Sequence, residues 1–319
     1  MPEYRAGVCS RYVDLEQRAR DRAGPAEDRP ESHRFSLAYR PPYDWEAVLA
    51  FLRARATPGV EAVANGRYRR TISVDANNGV VEVSDLESRS ALALDVHFPD
   101  PRALPLIVER ARRMFDLAAD PAVIGECLGA DPLLRPPLAR HPGIRTPGAW
   151  DGFELAVRAI VGQQVSVRAA TTIAGRIAAM FGSPLLDGRG LERLFPTAAQ
   201  LADADVEGAG VMPARAATIR RLAGRVTDGT IAFGSSNLGP ATISALRSLS
   251  GIGDWTAEYI AMRAFGEPDA FPSGDLVLRR AAGGCTAREL GRKSDAWRPW
   301  RAYAVMLLWQ DATDRRDKS

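Results

Sequence analysis

A chain of 319 residues, 46% hydrophobic and 25% charged, has the composition of a soluble globular protein of about two domains. Its formal net charge of +3 permits a nucleic-acid partner without requiring one; no apolar run is long enough to span a bilayer, and the first residues lack the apolar centre of a secretory signal, so a cytoplasmic, membrane-free protein is expected. Cys9, Cys127 and Cys285 and the three histidines are widely scattered, which excludes a readable disulfide framework or a zinc or iron–sulfur site built from side chains, and the two lysines, Lys293 and Lys318, leave few sources for amine chemistry.

Residues 1–33 are charged and poor in large apolar side chains, and read as a poorly ordered leader. Strand-like runs follow at 34–40, 67–75, 79–87 and 90–98, several with alternating polarity. Asn77, Asn78 and Gly79 supply the residue types a hairpin turn needs for positive φ. Helical stretches at 44–55 and 101–118 interrupt the strands, so 34–145 is expected to be a small α+β domain with an antiparallel sheet. The proline-rich segment 131–150 reads as the seam, and beyond it strand signals almost vanish. Asp151 and Glu154 form a capping-box pattern ahead of an apolar periodicity that Gly162 is placed to break. Pro213 opens another helix, and further helical runs complete an all-α domain over 146–312, leaving 313–319 as a charged tail.

The most informative stretch is LRSLSGIGDWTAEYI, a helix end, a turn with Gly251, Ile252 and Gly253, and a helix start that includes Thr256. Glycines in such a turn let another backbone approach, and the free amides of the second helix form a site for a phosphate oxygen. Such a hairpin holds a nucleic-acid backbone without reading bases, or is an ordinary helical corner. Trp255 and Tyr259, four apart, share a helix face that serves equally as core or as a pocket wall. Asp275 follows Pro272, Ser273 and Gly274 at the start of a further helix, where a carboxylate is a favourable cap and is also placed for chemistry. By residue type alone, Asp254, Glu258 and Asp269 are rivals to it.

The string L-x-x-L-x-G-I-G-x-W-T-A, with FPSGDLVLRR behind it, resembles the helix-hairpin-helix DNA glycosylase superfamily, and within it the DNA-3-methyladenine glycosylase II (AlkA) family. AVRAIVGQQVS, WRPWRAYAVMLLW and the preceding α+β domain are similar to that family as well, so the resemblance covers roughly residues 34–312. It implies a monofunctional DNA glycosylase that excises alkylated purines such as 3-methyladenine and 7-methylguanine from double-stranded DNA, working as a monomer. Asp275 takes the position of the family's catalytic aspartate, supporting the positive charge that builds on deoxyribose as the base leaves. Trp255, Tyr259 and Trp309 line the base pocket, where electron-rich rings attract a cationic purine by roughly 0.5–2 kcal/mol per contact.

The resemblance also points to Gln164, with Gln163 beside it, as the wedge that fills the stack when a base is extruded, although the pair would equally serve as surface residues or hairpin buttresses. Some relatives carry leucine there. The relatives that also cut the backbone place a lysine two residues after the second hairpin glycine; this chain has Trp255 there. No cofactor is implied beyond a monovalent cation held by hairpin carbonyls. Trp297 and Trp300 are expected to be packing residues, Arg301 a surface charge or a phosphate contact, and Asp254 a charge that repels DNA from the hairpin. Two other readings remain, a non-catalytic DNA-binding protein and a bifunctional glycosylase/lyase for oxidised bases.

Overall fold

The computed structural model describes residues 32–233 and 239–317. Most of the expected leader therefore lies outside the described residues. The chain opens with β1 (Ser32–Ala38) and α1 (Trp45–Arg53), continues through β2 (Glu61–Ala64), β3 (Arg67–Val74), β4 (Asn77–Leu86) and β5 (Ala91–His97), and then becomes helical: α2 (Leu104–Met114), α3 (Pro121–Gly129) and α4 (Arg135–Arg140). The strands form one antiparallel sheet in the order β1-β5-β4-β3-β2. The helices α5 (Gly152–Val161), α6 (Val167–Phe181), α7 (Ala198–Leu201), α8 (Pro213–Thr227), α9 (Gly239–Ser248), α10 (Asp254–Ala264), α11 (Leu276–Ala281), α12 (Ala287–Lys293) and α13 (Arg301–Asp317) follow. The fold class is thus the expected one, α+β followed by a predominantly helical region. Among the described residues, no helix is long and apolar enough to cross a membrane.

One turn differs from expectation. In the β3–β4 hairpin the positive-φ residues are Asp75 and Ala76, not Asn77–Gly79, because Val74 pairs with Asn77 and the ladder leaves only two residues for the turn. Gly79 sits inside β4, where a Cβ would stand 2.2 Å from the His97 carbonyl oxygen. The short strand β2 escapes a periodicity reading altogether, although Asn65 and Gly66, both at positive φ, are the residue pair that a two-residue hairpin prefers.

Helix ends follow local chemistry more closely. Asp44 caps α1, accepting from the Ala47 amide at 3.0 Å, and Pro213 occupies the first turn of α8. Gly162 ends α5, as its position suggested. Asp151 accepts from the Glu154 amide at 2.8 Å, but the reciprocal half of the expected capping box is missing, because the Glu154 carboxylate turns to Arg70 at 2.7 Å.

The apolar cores cut across chain order. One unites the sheet, α1 and α2 with α13, whose Ala302–Leu308 stretch is buried throughout. The other is wholly helical, built on α5, α8 and α10. Tyr259 of α10 packs against both, so the junction of the two cores lies where α10 faces α1 and α13.

Candidate active site

A cleft of about 1270 Å³ opens at that junction, walled by α1, α5, α6, α10, α11 and α13. Asp275 lies on its edge as the N-cap of α11. Its Oδ1 accepts from the amides of Val277 at 2.9 Å and Leu278 at 3.0 Å, the usual geometry for a capping carboxylate. The indole Nε1 of Trp309 donates to the same oxygen at 3.2 Å, and that of Trp255 donates to Oδ2 at 3.1 Å. The carboxylate is oriented from two sides by N–H groups, and among the described residues no arginine, lysine or histidine neutralises it.

Its three rivals have other partners. Glu258 pairs with Arg247 and accepts from the Phe271 amide at 2.8 Å. Asp269 is gripped by Arg301, with Nε at 2.7 Å, and by Arg298. This makes Arg301 a buttress rather than a free surface charge. Asp254 is 96% exposed and 3.9 Å from Arg247.

Trp255 and Tyr259 stack with ring centroids 5.3 Å apart and planes 9° apart, and the Trp309 ring lies 6.2 Å from that of Tyr259 at 49°. Trp297 is buried, donating its indole N–H to Asp131 at 2.7 Å, which is the packing role expected of it.

The opposite wall has no local signature in the sequence. Phe51 of α1 stacks on Trp309 at 6.5 Å and 17°, and Arg55 lies 3.7 Å over the Phe51 ring. Arg263 donates to the Tyr259 hydroxyl at 2.9 Å and lies 4.6 Å over Phe51. Burial pulls the Arg55 guanidinium down to about 10, so it is still charged at neutral pH. Burial would raise the Tyr259 phenol, but Arg263, Arg55 and Arg158 outweigh it and bring the group below its ordinary value. The available signal was Phe51 and Arg55 at helical spacing, with nothing local to say which cavity they face.

The hairpin between α9 and α10 is seated on α8. Gly251 has φ +96°, and a Cβ there would stand 2.0 Å from Thr218 Oγ1, so both its conformation and its surroundings require glycine. The Ser250 carbonyl accepts from Thr218 at 3.2 Å and Arg221 at 3.0 Å. Gly253 caps α10 without a side-chain acceptor and has open space beside it, so the first amides of the helix face outward.

The Ile252 and Thr256 side chains are buried, which leaves the backbone amides as the groups of this hairpin that face outward. Ile252 anchors the turn in the helical core, and Thr256 accepts from Gln163 Nε2 at 3.0 Å. The same Gln163 nitrogen donates to the Gly251 carbonyl at 2.8 Å. The two glutamines therefore part company. Gln163 fastens the hairpin through its amide nitrogen; Gln164, at φ +55° in the α5–α6 junction, is exposed.

The inner lining of the cleft includes a buried charge cluster between sheet and α5. Arg70 reaches Glu154 at 2.7 Å and Glu61 at 3.6 Å, while Arg158 reaches Glu61 at 2.8 Å. Burial alone would raise Glu61, yet Arg158 and Arg70 hold it below the usual carboxylate range; Glu154 is raised, by burial first and with the Glu61 charge adding to it.

This architecture has close structural counterparts. The 3-methyladenine DNA-glycosylase from Archaeoglobus fulgidus superposes with a TM-score of 0.74 at 22% identity, over 88% of this chain and 98% of that one. An 8-oxoguanine glycosylase/lyase of Clostridium acetobutylicum superposes at 0.62 with 17% identity, over 81% and 98%. At such identities the likeness shows the fold alone, a mixed sheet-and-helix region followed by a helical one with a helix-hairpin-helix.

Sequence relatives are nearer. The AlkA N-terminal domain family matches residues 34–151. A probable bifunctional transcriptional activator/DNA repair enzyme AlkA of Mycobacterium tuberculosis is 43% identical over 280 residues, 86% of this chain but only 56% of that protein. DNA-3-methyladenine glycosylase 2 of Escherichia coli is 34% identical over 278 residues, 86% of this chain and 96% of the relative. The chain belongs to the AlkA family of DNA-3-methyladenine glycosylases II.

Proposed function

We propose that this protein is a monofunctional DNA glycosylase that hydrolyses the N-glycosidic bond of alkylated purines in duplex DNA. The observation that carries the reading is Asp275, an un-neutralised carboxylate held by two indole N–H groups at the edge of a ring-walled cleft. A flipped nucleotide places its base among Trp255, Tyr259 and Trp309 and its sugar toward Asp275. N-alkylation gives the purine a formal positive charge, which favours stacking on electron-rich rings and weakens the bond to be cut. As the base leaves, charge develops on the sugar. A carboxylate already oriented by fixed donors stabilises that charge with little reorganisation, and the same carboxylate can accept a proton from the attacking water.

The hairpin amides beside Gly253 support a phosphate contact, and Gln164 is the wedge candidate that the exposed α5–α6 junction favours. A monovalent cation held by hairpin carbonyls would add positive charge near the phosphate; of these, the Ser250 and Gly251 carbonyls already accept from Arg221 and Gln163. The cleft is complete within one chain, which supports action as a monomer. Trp255 at the position of a lyase lysine supports hydrolysis over Schiff-base chemistry; Lys293, on α12, instead donates to the Ala282 carbonyl at 3.5 Å.

Chromatography of bases freed from methylated duplex DNA tests the reading. The wild type should release alkylated purines and leave abasic sites, and Asp275→Asn should release almost none. Binding without base release would leave a DNA-binding module. Covalent trapping on DNA with borohydride would show a lyase.

A further inference from the structure

The cleft is lined by more positive charge than its interior uses, and its arginines fall into two groups. Five are tied to the protein. Arg70 and Arg158 serve Glu61 and Glu154. Arg55 donates to the Phe51 carbonyl at 3.2 Å, and Arg263 donates to the Gly148 carbonyl at 3.1 Å and to the Tyr259 hydroxyl. Arg315 pairs with Asp311 at 2.8 Å. Arg168 and Arg280 also line the cleft, are exposed, and have neither a carboxylate nor any other side-chain hydrogen-bond partner among the described residues.

Their positions relate to the two groups that would handle an extruded nucleotide. Arg168 is the second residue of α6, four residues after the exposed Gln164. Arg280 lies on α11, the six-residue helix that Asp275 caps, roughly one and a half turns from that carboxylate. One unpaired guanidinium therefore accompanies the wedge candidate and the other accompanies the carboxylate. They come from different helices on the same cleft. An extruded nucleotide distorts its backbone and brings its flanking phosphates toward the protein, where their charge needs compensation.

We infer that Arg168 and Arg280 form a phosphate pinch that grips the DNA backbone on the two sides of the extruded nucleotide. The inference rests on the glycosylase reading for its partner and goes beyond it in assigning these residues. The partner groups are backbone phosphates, so the contacts are indifferent to base identity and matter most when the nucleotide is out of the stack. Guanidinium suits the task because its fork can hold two phosphate oxygens at once.

The test measures binding of the full chain to a duplex with a tetrahydrofuran abasic-site analogue, which mimics the extruded state, and to the same duplex undamaged, across a salt series. Arg168→Gln and Arg280→Gln should each lose several-fold in affinity for the analogue duplex and less for the undamaged one. Each should also lower the slope of log affinity against log salt by about 0.9 for every phosphate that is no longer neutralised. Lysine at either position should restore the slope. Unchanged slopes in folded variants of a wild type that binds would overturn the pinch and leave the glycosylase reading intact. Changed slopes in a protein that frees no base would overturn the glycosylase reading and keep the pinch as a DNA contact. A wild type that binds neither duplex would end both.

Discussion

Two groups of carboxylates flank the same cleft and are treated in opposite ways. Glu61 and Glu154, in its inner lining, are buried with Arg70 and Arg158 and join the sheet to α5. Asp275, on its edge, is met by two backbone amides and two indoles and by no cation among the described residues. A carboxylate locked to guanidinium has its charge satisfied and holds structure. One held only by neutral N–H donors is oriented and still has charge to offer a cationic partner. Neutralisation, more than burial, separates structural acid from candidate catalyst here.

The largest effect expected from breaking this contrast is on stability. Arg70→Met leaves Glu61 and Glu154 facing each other with Arg158 alone, and should cost about 3–5 kcal/mol, read as a large drop in the thermal midpoint. Base release per folded molecule should persist if the cluster is only structural.

Asp275→Asn should do the reverse. Asparagine caps a helix about as well as aspartate, so the midpoint should hardly move, while base release should fall at least about 100-fold, equivalent to about 2.7 kcal/mol of transition-state stabilisation. Near-normal release by this variant would dismiss Asp275 as the catalyst.

Trp255→Phe sharpens the comparison further. It keeps a ring over Tyr259 and removes the N–H at 3.1 Å from Oδ2; we expect about a tenfold loss of single-turnover rate, in keeping with the removal of one hydrogen bond to a charged group. An equal loss of binding with no change of rate would assign the ring to recognition alone.

The smallest effect concerns a third carboxylate group. His141 bridges Asp44 and Asp314, each at 2.8 Å, tying the α1 cap to α13. Burial opposes its charge, but hydrogen bonds to Asp314 and Asp44 outweigh this and raise the imidazole above its ordinary value. A raised value means that the folded state holds the proton more tightly. The bridge therefore stabilises fully below about pH 6.5 and loses its contribution as pH climbs through the raised value. The stability gap between wild type and His141→Gln should be wider at pH 6 than at pH 9; a gap that widens with pH would reverse the assignment.

Much of this organisation is local and was readable as such. The cap at Asp275 needs only an aspartate ahead of an apolar helix, and the shared face of Trp255 and Tyr259 follows from a spacing of four. Gly251 announced its turn because few other residues tolerate positive φ. Other features depended on partners far along the chain. Glu154 looked like half of a capping box until Arg70, 84 residues away, claimed it. Gln163 and Gln164 are neighbours of one residue type, yet one is held by Gly251 and Thr256 across the fold and the other is exposed.

The amino-acid sequence by itself determined where several helices begin, the α+β and helical succession, and which side chains are chemically equipped for the proposed task, because backbone preferences and helical spacing act within a few residues. Tertiary structure alone decided which acids are neutralised, brought Phe51 and Arg55 opposite Trp309, and aimed two indoles separated by 54 positions at one carboxylate. Those outcomes arise from packing α1 and α13 into one core beside α10. Burial of apolar surface is non-directional, so polar pairs across it take their identity from the assembled geometry rather than from any local pattern.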